Sequence, residues 1–197
     1  MHPRIAFVAP MGTGKSQYAE FLGSTYGLRH ISIAEPIKEI GRGLAPLFRL
    51  DPQDKAAMRP MLQGIGAGPR ETDPDFWVRA MISKYDLSDS MQGTGYVVDD
   101  VRYPNEAEAL QRVGFHVIRL EASEAARKAR IQKRDGQVDN SVFDHETETA
   151  ITRIAHDELL MNETEQDLER NFALLAARMA TLQNIPSPED SYVGEGI

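Results

Sequence analysis

Eight residues near the start of the chain, Ala9-Pro10-Met11-Gly12-Thr13-Gly14-Lys15-Ser16, have the types and order needed to hold a polyphosphate. In a glycine-rich turn, consecutive backbone N–H groups can point inward, and the helix that follows adds positive potential at its N-terminus. On that chemistry Gly12, Thr13 and Gly14 cradle the phosphates of a nucleoside triphosphate. Lys15 then reaches the β- and γ-phosphates, and the Ser16 hydroxyl ligates Mg²⁺. The apolar run Ile5-Ala6-Phe7-Val8 precedes the turn, and Gln17 to Leu22 can continue as an amphipathic helix. Strand, turn and helix thus come in the required order. Ala9 stands where the usual spacing has its first glycine, and alanine takes a positive φ less readily.

Other residues could complete a phosphoryl-transfer site. Tyr96-Val97-Val98-Asp99-Asp100 reads as a buried strand ending in two carboxylates. A carboxylate there can hold Mg²⁺ or its water shell. Strand alternation favours Asp100 for this role and turns Asp99 to the other face, and the choice between the two stays open at this point. Arg102 lies just beyond, where a two-pronged guanidinium grip would suit a phosphate-bearing acceptor. Arg127 and Arg130 share one face of a basic helix, as a flap over transferring phosphates requires. The only tryptophan, Trp77, follows Phe76 at a helix start and reads better as core than as a base-stacking platform. His145 has no second histidine at ligand spacing, so zinc is not expected.

These residues need a scaffold. At 197 residues the chain can form one α/β domain with a substantial core. Short strands are expected at 5–8, 30–34, 96–100, 115–120 and 158–161, alternating with helices, which implies a parallel sheet with right-handed crossovers. Residues 35–89 read as helical throughout, with Asp51-Pro52 and Asp73-Pro74 as helix starts and Pro60 as a kink or reset. This block reads as an insertion at the carboxyl edge of the sheet, where ligands bind in open α/β folds. The expected organisation is a single domain (1–197) with its core in 1–34, 93–122 and 155–183. The helical insertion takes 35–92, the lid 123–154, and a disordered tail 184–197.

The balance of 22 basic and 30 acidic residues gives −8 at neutral pH, which argues against nucleic acid as a partner. There is no cysteine, hence no disulfide or thiolate metal site. No apolar run is long enough to cross a bilayer, and the opening residues lack the apolar core of a signal peptide. A soluble, cytoplasmic protein is expected. Exposed apolar faces in the insertion could support a homodimer.

Four segments together resemble the bacteriophage deoxynucleoside monophosphate kinases, within the P-loop nucleoside monophosphate kinase group. They are Ile33-Ala34-Glu35-Pro36-Ile37-Lys38, Leu62-Gln63-x-x-Gly66-x-x-x-Arg70, Asp75-Phe76-Trp77 and Asp100-Val101-Arg102-Tyr103-Pro104-Asn105-Glu106, and Asp157 to Asn162, leading into the final helix, fits the same pattern. The likeness covers nearly the whole chain except the tail, and the last of the four segments is its most telling part. It implies a three-layer fold with a five-stranded parallel sheet, an acceptor-binding helical insertion and a lid. It also implies transfer of the γ-phosphoryl group of ATP, with Mg²⁺, to a deoxynucleoside monophosphate, in the host cytoplasm if the source is a phage. Arg70 and Arg102 match acceptor-phosphate arginines, and Arg127 and Arg130 match the lid. Lys38, Gln63, Trp77, Asn105 and Glu106 would fall around the acceptor. Glu35 stands where the family more often has aspartate. Two other readings stay open: a related phage kinase acting on a hydroxymethyl-pyrimidine in DNA, and a non-catalytic nucleotide-binding P-loop protein.

Overall fold

The computed structural model describes residues 2–88, 95–136, 143 and 151–183. The expected tail and His145 lie outside these residues, as does most of the loop after the basic helix.

The first strand, β1 (Arg4–Val8), is buried along its whole length. A strand apolar on both faces belongs in the middle of a parallel sheet covered on both sides. The sheet has five parallel strands in the order β2-β3-β1-β4-β5, with β2 at Arg29–Ile31, β3 at Tyr96–Val101, β4 at His116–Glu121 and β5 at Glu158–Met161. The expected three-layer α/β architecture is present. Ile5 and Phe7 pack on one face with α1 (Lys15–Tyr26) and the last helix, α7 (Glu165–Gln183). Ala6 and Val8 pack on the other with α4 (Phe76–Lys84) and α5 (Pro104–Arg112). Arg4 is the polar exception in β1. Its Nη1 donates to Leu87 O (2.7 Å) and Val113 O (2.6 Å), so the buried guanidinium satisfies the ends of two connections at the amino edge of the sheet.

Between β2 and β3 the described residues are mainly helical, as expected. α2 spans Glu35–Leu44, a 3₁₀ turn follows at Ala45–Phe48, and α3 spans Lys55–Thr72. Gly41 lets α2 and α3 approach closely, because a Cβ there would collide with the Leu62 side chain. Two local expectations change. The start signal that works is Asp54, whose carboxylate accepts from Ala56 N and Ala57 N, rather than Asp51-Pro52. Pro60 sits inside a continuous α3 instead of resetting it. It removes one hydrogen bond, to the carbonyl of Ala56, and both residues are exposed, so water can satisfy that carbonyl.

The last structural difference bears on the site. The second strand ends at Ile31, and Ser32 to Ala34 form a turn. β1 and β3 pair Ala6 with Val98 but Val8 with Val101, so β3 carries one extra residue at Asp99-Asp100. Val98 and Val101 therefore both reach the same core, which strict alternation would forbid.

Candidate functional site

β1 and β3 are neighbours whose onward connections run to opposite sides of the sheet, so a crevice opens at their carboxyl ends. The glycine-rich turn and the two aspartates both lie there. Gly12 (φ 83°) and Gly14 (φ 98°) take left-handed backbone, and a Cβ on Gly12 would press on Arg127 O. Ala9 has no positive φ and is buried in the core, which explains why alanine serves where a glycine was expected. Thr13 is fully buried, with Oγ1 donating to Pro10 O (2.8 Å). α1 begins at Lys15 with neither an acidic first turn nor a side-chain cap, so the positive end of its dipole is left for an anion.

The bulge gives the two aspartates different work. Asp99 meets the phosphate loop: Ser16 Oγ donates to its Oδ2 (3.2 Å), while His30 Nε2 lies 2.7 Å from its Oδ1. Asp100 turns instead to the end of β2. It accepts from Ser32 Oγ (2.7 Å), Ile33 N (3.0 Å) and Ala34 N (3.0 Å). The metal role expected for Asp100 thus fits Asp99 on geometry, and Asp100 holds the turn that leads into α2. Burial alone would raise the Asp99 pKa, but the hydrogen bond and charge of His30, with Ser16 and Lys15, take it below the ordinary carboxylate value. The hydrogen bond to Asp99 in turn raises His30 above its usual value.

The basic helix, α6 (Glu124–Asp135), is capped by Ser123, which accepts from Ala126 N, and it lies against the loop. Arg127 Nε donates to Met11 O (2.7 Å), and its guanidinium and the Lys128 ammonium both face the Phe143 ring. Arg130 Nη2 donates to Asn162 O (2.7 Å). A cavity of about 720 Å³ lies between the loop, α6 and the start of α7. Lys15, Gln17, Arg130, Arg134 and Thr164 are among the residues that line it.

On the insertion side, Lys38 Nζ sits 3.5 Å from Ser32 Oγ, and so joins the Asp100 network. Glu35 pairs with Arg42 and Lys38. Glu106 is 2 % exposed and accepts from Arg102 N (2.9 Å) and Tyr103 N (3.2 Å), with Arg70 Nη2 at 3.2 Å from its other oxygen. Desolvation raises its pKa despite those donors. The Arg102 side chain and Gln63 are exposed. Three expected acceptor contacts are instead structural. Glu106 fixes the start of α5, and Asn105 Nδ2 donates to Pro74 O (2.9 Å) and Asp75 Oδ1 (2.8 Å). Trp77 is 2 % exposed and donates its indole N–H to Gly66 O (2.9 Å), which makes it core rather than a surface for a base.

Comparison with proteins of known structure finds the same fold elsewhere. A gluconokinase from Sinorhizobium meliloti 1021 superposes with a TM-score of 0.56 at 18 % identity, over 92 % of this chain and 95 % of that one. The protein TT1252 from Thermus thermophilus gives 0.57 at 20 % identity, over 91 % and 99 %. Shikimate kinase from Acinetobacter baumannii gives 0.53 at 12 % identity, over 94 % and 97 %. The chain shares the fold of these proteins, two of them kinases by name. In sequence it is 32 % identical over 114 residues to an uncharacterised protein of Ictalurid herpesvirus 1, covering 58 % of this chain. The matched stretch is 48 % of the viral protein, so the likeness spans about half its length. No protein-family model matches the chain.

The donor set suits a hard divalent cation. Ser16 Oγ and Asp99 Oδ2 are hard oxygen ligands placed side by side at the mouth of the loop. Among the described residues there is no group of three or more histidines and acids able to hold a metal. A cation at Ser16 and Asp99 would therefore take most of its ligands from phosphate and water, as Mg²⁺ does. No helix among the described residues is long and apolar enough to cross a membrane.

Sequence reasoning missed His30 and Asn162. His30 showed only as a polar residue opening a strand. Asn162 gave one signal, its position directly after the last strand, where the carboxyl edge must face the loop.

Proposed function

We propose that the protein transfers the γ-phosphoryl group of ATP directly to a deoxynucleoside monophosphate, yielding ADP and the diphosphate. The observation that carries this reading is the way the insertion's basic side chains are tied to the strand ends beside the loop. Lys38 reaches Ser32 and through it Asp100, and Arg70 reaches Glu106, which fixes the backbone of Arg102. A phosphate-bearing acceptor suits three such cations. The kinase names of the structural neighbours support phosphoryl transfer as the reaction class.

In the reaction an anionic oxygen of the acceptor phosphate attacks the γ-phosphorus in line, and the bond to the β–γ bridging oxygen breaks toward ADP. Lys15 and the loop N–H groups hold the donor phosphates. Ser16 and Asp99 would hold Mg²⁺, which supplies charge neutralisation at the β- and γ-oxygens when bound. Arg127 and Arg130 bring positive charge from α6 and keep water away. The attacking oxygen is already ionised, so no general base is needed.

A hydroxyl acceptor is the second reading, favoured by the gluconokinase and shikimate kinase neighbours. It requires a carboxylate able to take a proton, and Asp100 has both oxygens committed to Ser32, Ile33 and Ala34. ADP release from Mg-ATP separates the readings. The panel holds each common deoxynucleoside monophosphate, a hydroxymethylated one, hydroxymethylated DNA and small hydroxy acids. Turnover with a free monophosphate is expected. Turnover confined to DNA or hydroxy acids would replace this reading, and ADP release with none of them would favour a non-catalytic nucleotide binder.

A further inference from the structure

Asn162, directly after β5, is 1 % exposed and joins three elements. Its backbone N donates to Glu121 O (2.8 Å) at the end of β4. Its carbonyl accepts Arg130 Nη2 of α6. Its side-chain Nδ2 donates to Thr13 O (2.7 Å) inside the phosphate loop, and a Cβ on Gly14 would come within 3.1 Å of that nitrogen.

The bond to Thr13 O has a consequence for the loop. A trans peptide is planar, so its carbonyl and its N–H point in opposite directions. Pinning Thr13 O against Asn162 therefore turns the N–H of Gly14 away from Asn162. The left-handed φ of Gly14 leaves this peptide free to rotate at low cost, so an external hold is what selects one orientation. The reverse orientation would aim a carbonyl dipole at bound phosphate and remove an N–H from the cradle. Among the described residues, two buried polar atoms at this point also lack partners, Asn162 Oδ1 and Arg130 Nη1. Within these described residues, the junction of loop and α6 thus retains one acceptor and one donor for water or ligand beside the hydrogen bonds that anchor it.

We infer that Asn162 is a positioning residue for the donor phosphates: its side chain sets the Thr13–Gly14 peptide for anion binding while its carbonyl holds Arg130 beside it. The inference rests on the reading of the loop as a nucleotide-phosphate site, but it is tested by binding and needs no acceptor. Asn162→Asp keeps the shape and cannot donate to Thr13 O. Asn162→Ala removes the donor without adding a charge, and serves if the aspartate variant does not fold. Affinities for ATP and for inorganic tripolyphosphate are measured by calorimetry, with melting curves in parallel.

Both affinities are expected to fall together, by about tenfold in the alanine variant, the effect of one lost hydrogen bond at the upper end of its usual worth, and further in the aspartate variant. A folded alanine variant that binds tripolyphosphate within about twofold of the parent would overturn the inference, since packing alone would lower the melting temperature and spare the affinity. So would weakening confined to ATP, which would put Asn162 on the nucleoside. A parent protein that binds neither ligand would overturn the phosphate-loop reading itself.

Discussion

The two halves of the crevice are built differently. On the donor side, the loop is set by buried groups that allow little choice: Thr13 and Asn162 are enclosed, and Gly12 and Gly14 hold backbone that other residues adopt poorly. On the insertion side, Lys38, Gln63 and Arg102 are exposed, and the buried groups, Glu106 and Trp77, support the scaffold. The carboxylates show the same contrast. Asp99 is drawn below its ordinary pKa by His30, Ser16 and Lys15, whereas Glu106 is raised by burial that its donors do not fully offset. On the proposed reading, one half is preorganised for a constant ligand, polyphosphate. The other offers exposed side chains that can be exchanged without disturbing the sheet, and so can be fitted to different acceptors.

Five substitutions sharpen or break this contrast. Lys15→Ala should have the largest effect, a loss of about 10²–10³-fold in kcat, the usual result of removing one transition-state contact of roughly 3–4 kcal/mol. ADP release measures it, and near-parental turnover would remove Lys15 from the chemistry. Asp99→Asn and Asp100→Asn should then part company. The first should raise the Mg²⁺ concentration needed for half-maximal rate, while the second should chiefly lower the melting temperature by loosening Ser32 to Ala34. Equal Mg²⁺ dependence in the two variants would mean that the bulge does not divide their roles.

Glu106→Gln tests the raised carboxylate. A carboxyl group whose folded pKa lies above its unfolded value keeps its proton longer in the folded state, so stability is lost as pH rises from the unfolded toward the folded value. Glutamine cannot ionise. The stability of the parent relative to Glu106→Gln should therefore decline with rising pH just above the ordinary carboxylate range, and a difference that grew with pH would reverse the sign of the shift. Trp77→Phe should be the mildest for function. It removes the donor to Gly66 O, which still accepts Arg70 Nη1 (3.0 Å), and should cost about 1–3 kcal/mol in thermal unfolding with acceptor KM unchanged. A large rise in KM would return the indole to the acceptor.

Much of the donor half was legible in the sequence because its chemistry is local. A glycine pattern, a preceding apolar strand and a following helix sit within about twenty residues, and Ser123 announced α6 as plainly. The fold followed from alternating strands and helices. Misreadings arose where distant contacts decide. The preference for Asp100 over Asp99 rested on alternation, which assumes an unbroken ladder, and the extra residue in β3 is visible only against β1. Asn105 and Glu106 carry polar side chains that could face a ligand or cap a helix, and only the positions of Pro74, Arg70 and the Arg102 backbone tell which. Trp77 read correctly as core from its place beside Phe76, and the family likeness pulled it wrongly toward the acceptor.

The extra residue in β3 also governs how relatives should be compared with this chain. It makes two adjacent, chemically identical letters non-equivalent: one meets Ser16 of the loop, the other the turn that launches the insertion. A relative with a single acid at this point has given up one of those duties or moved it to another strand. Which duty it kept can be read from whether its next apolar residue falls two or three places after the last.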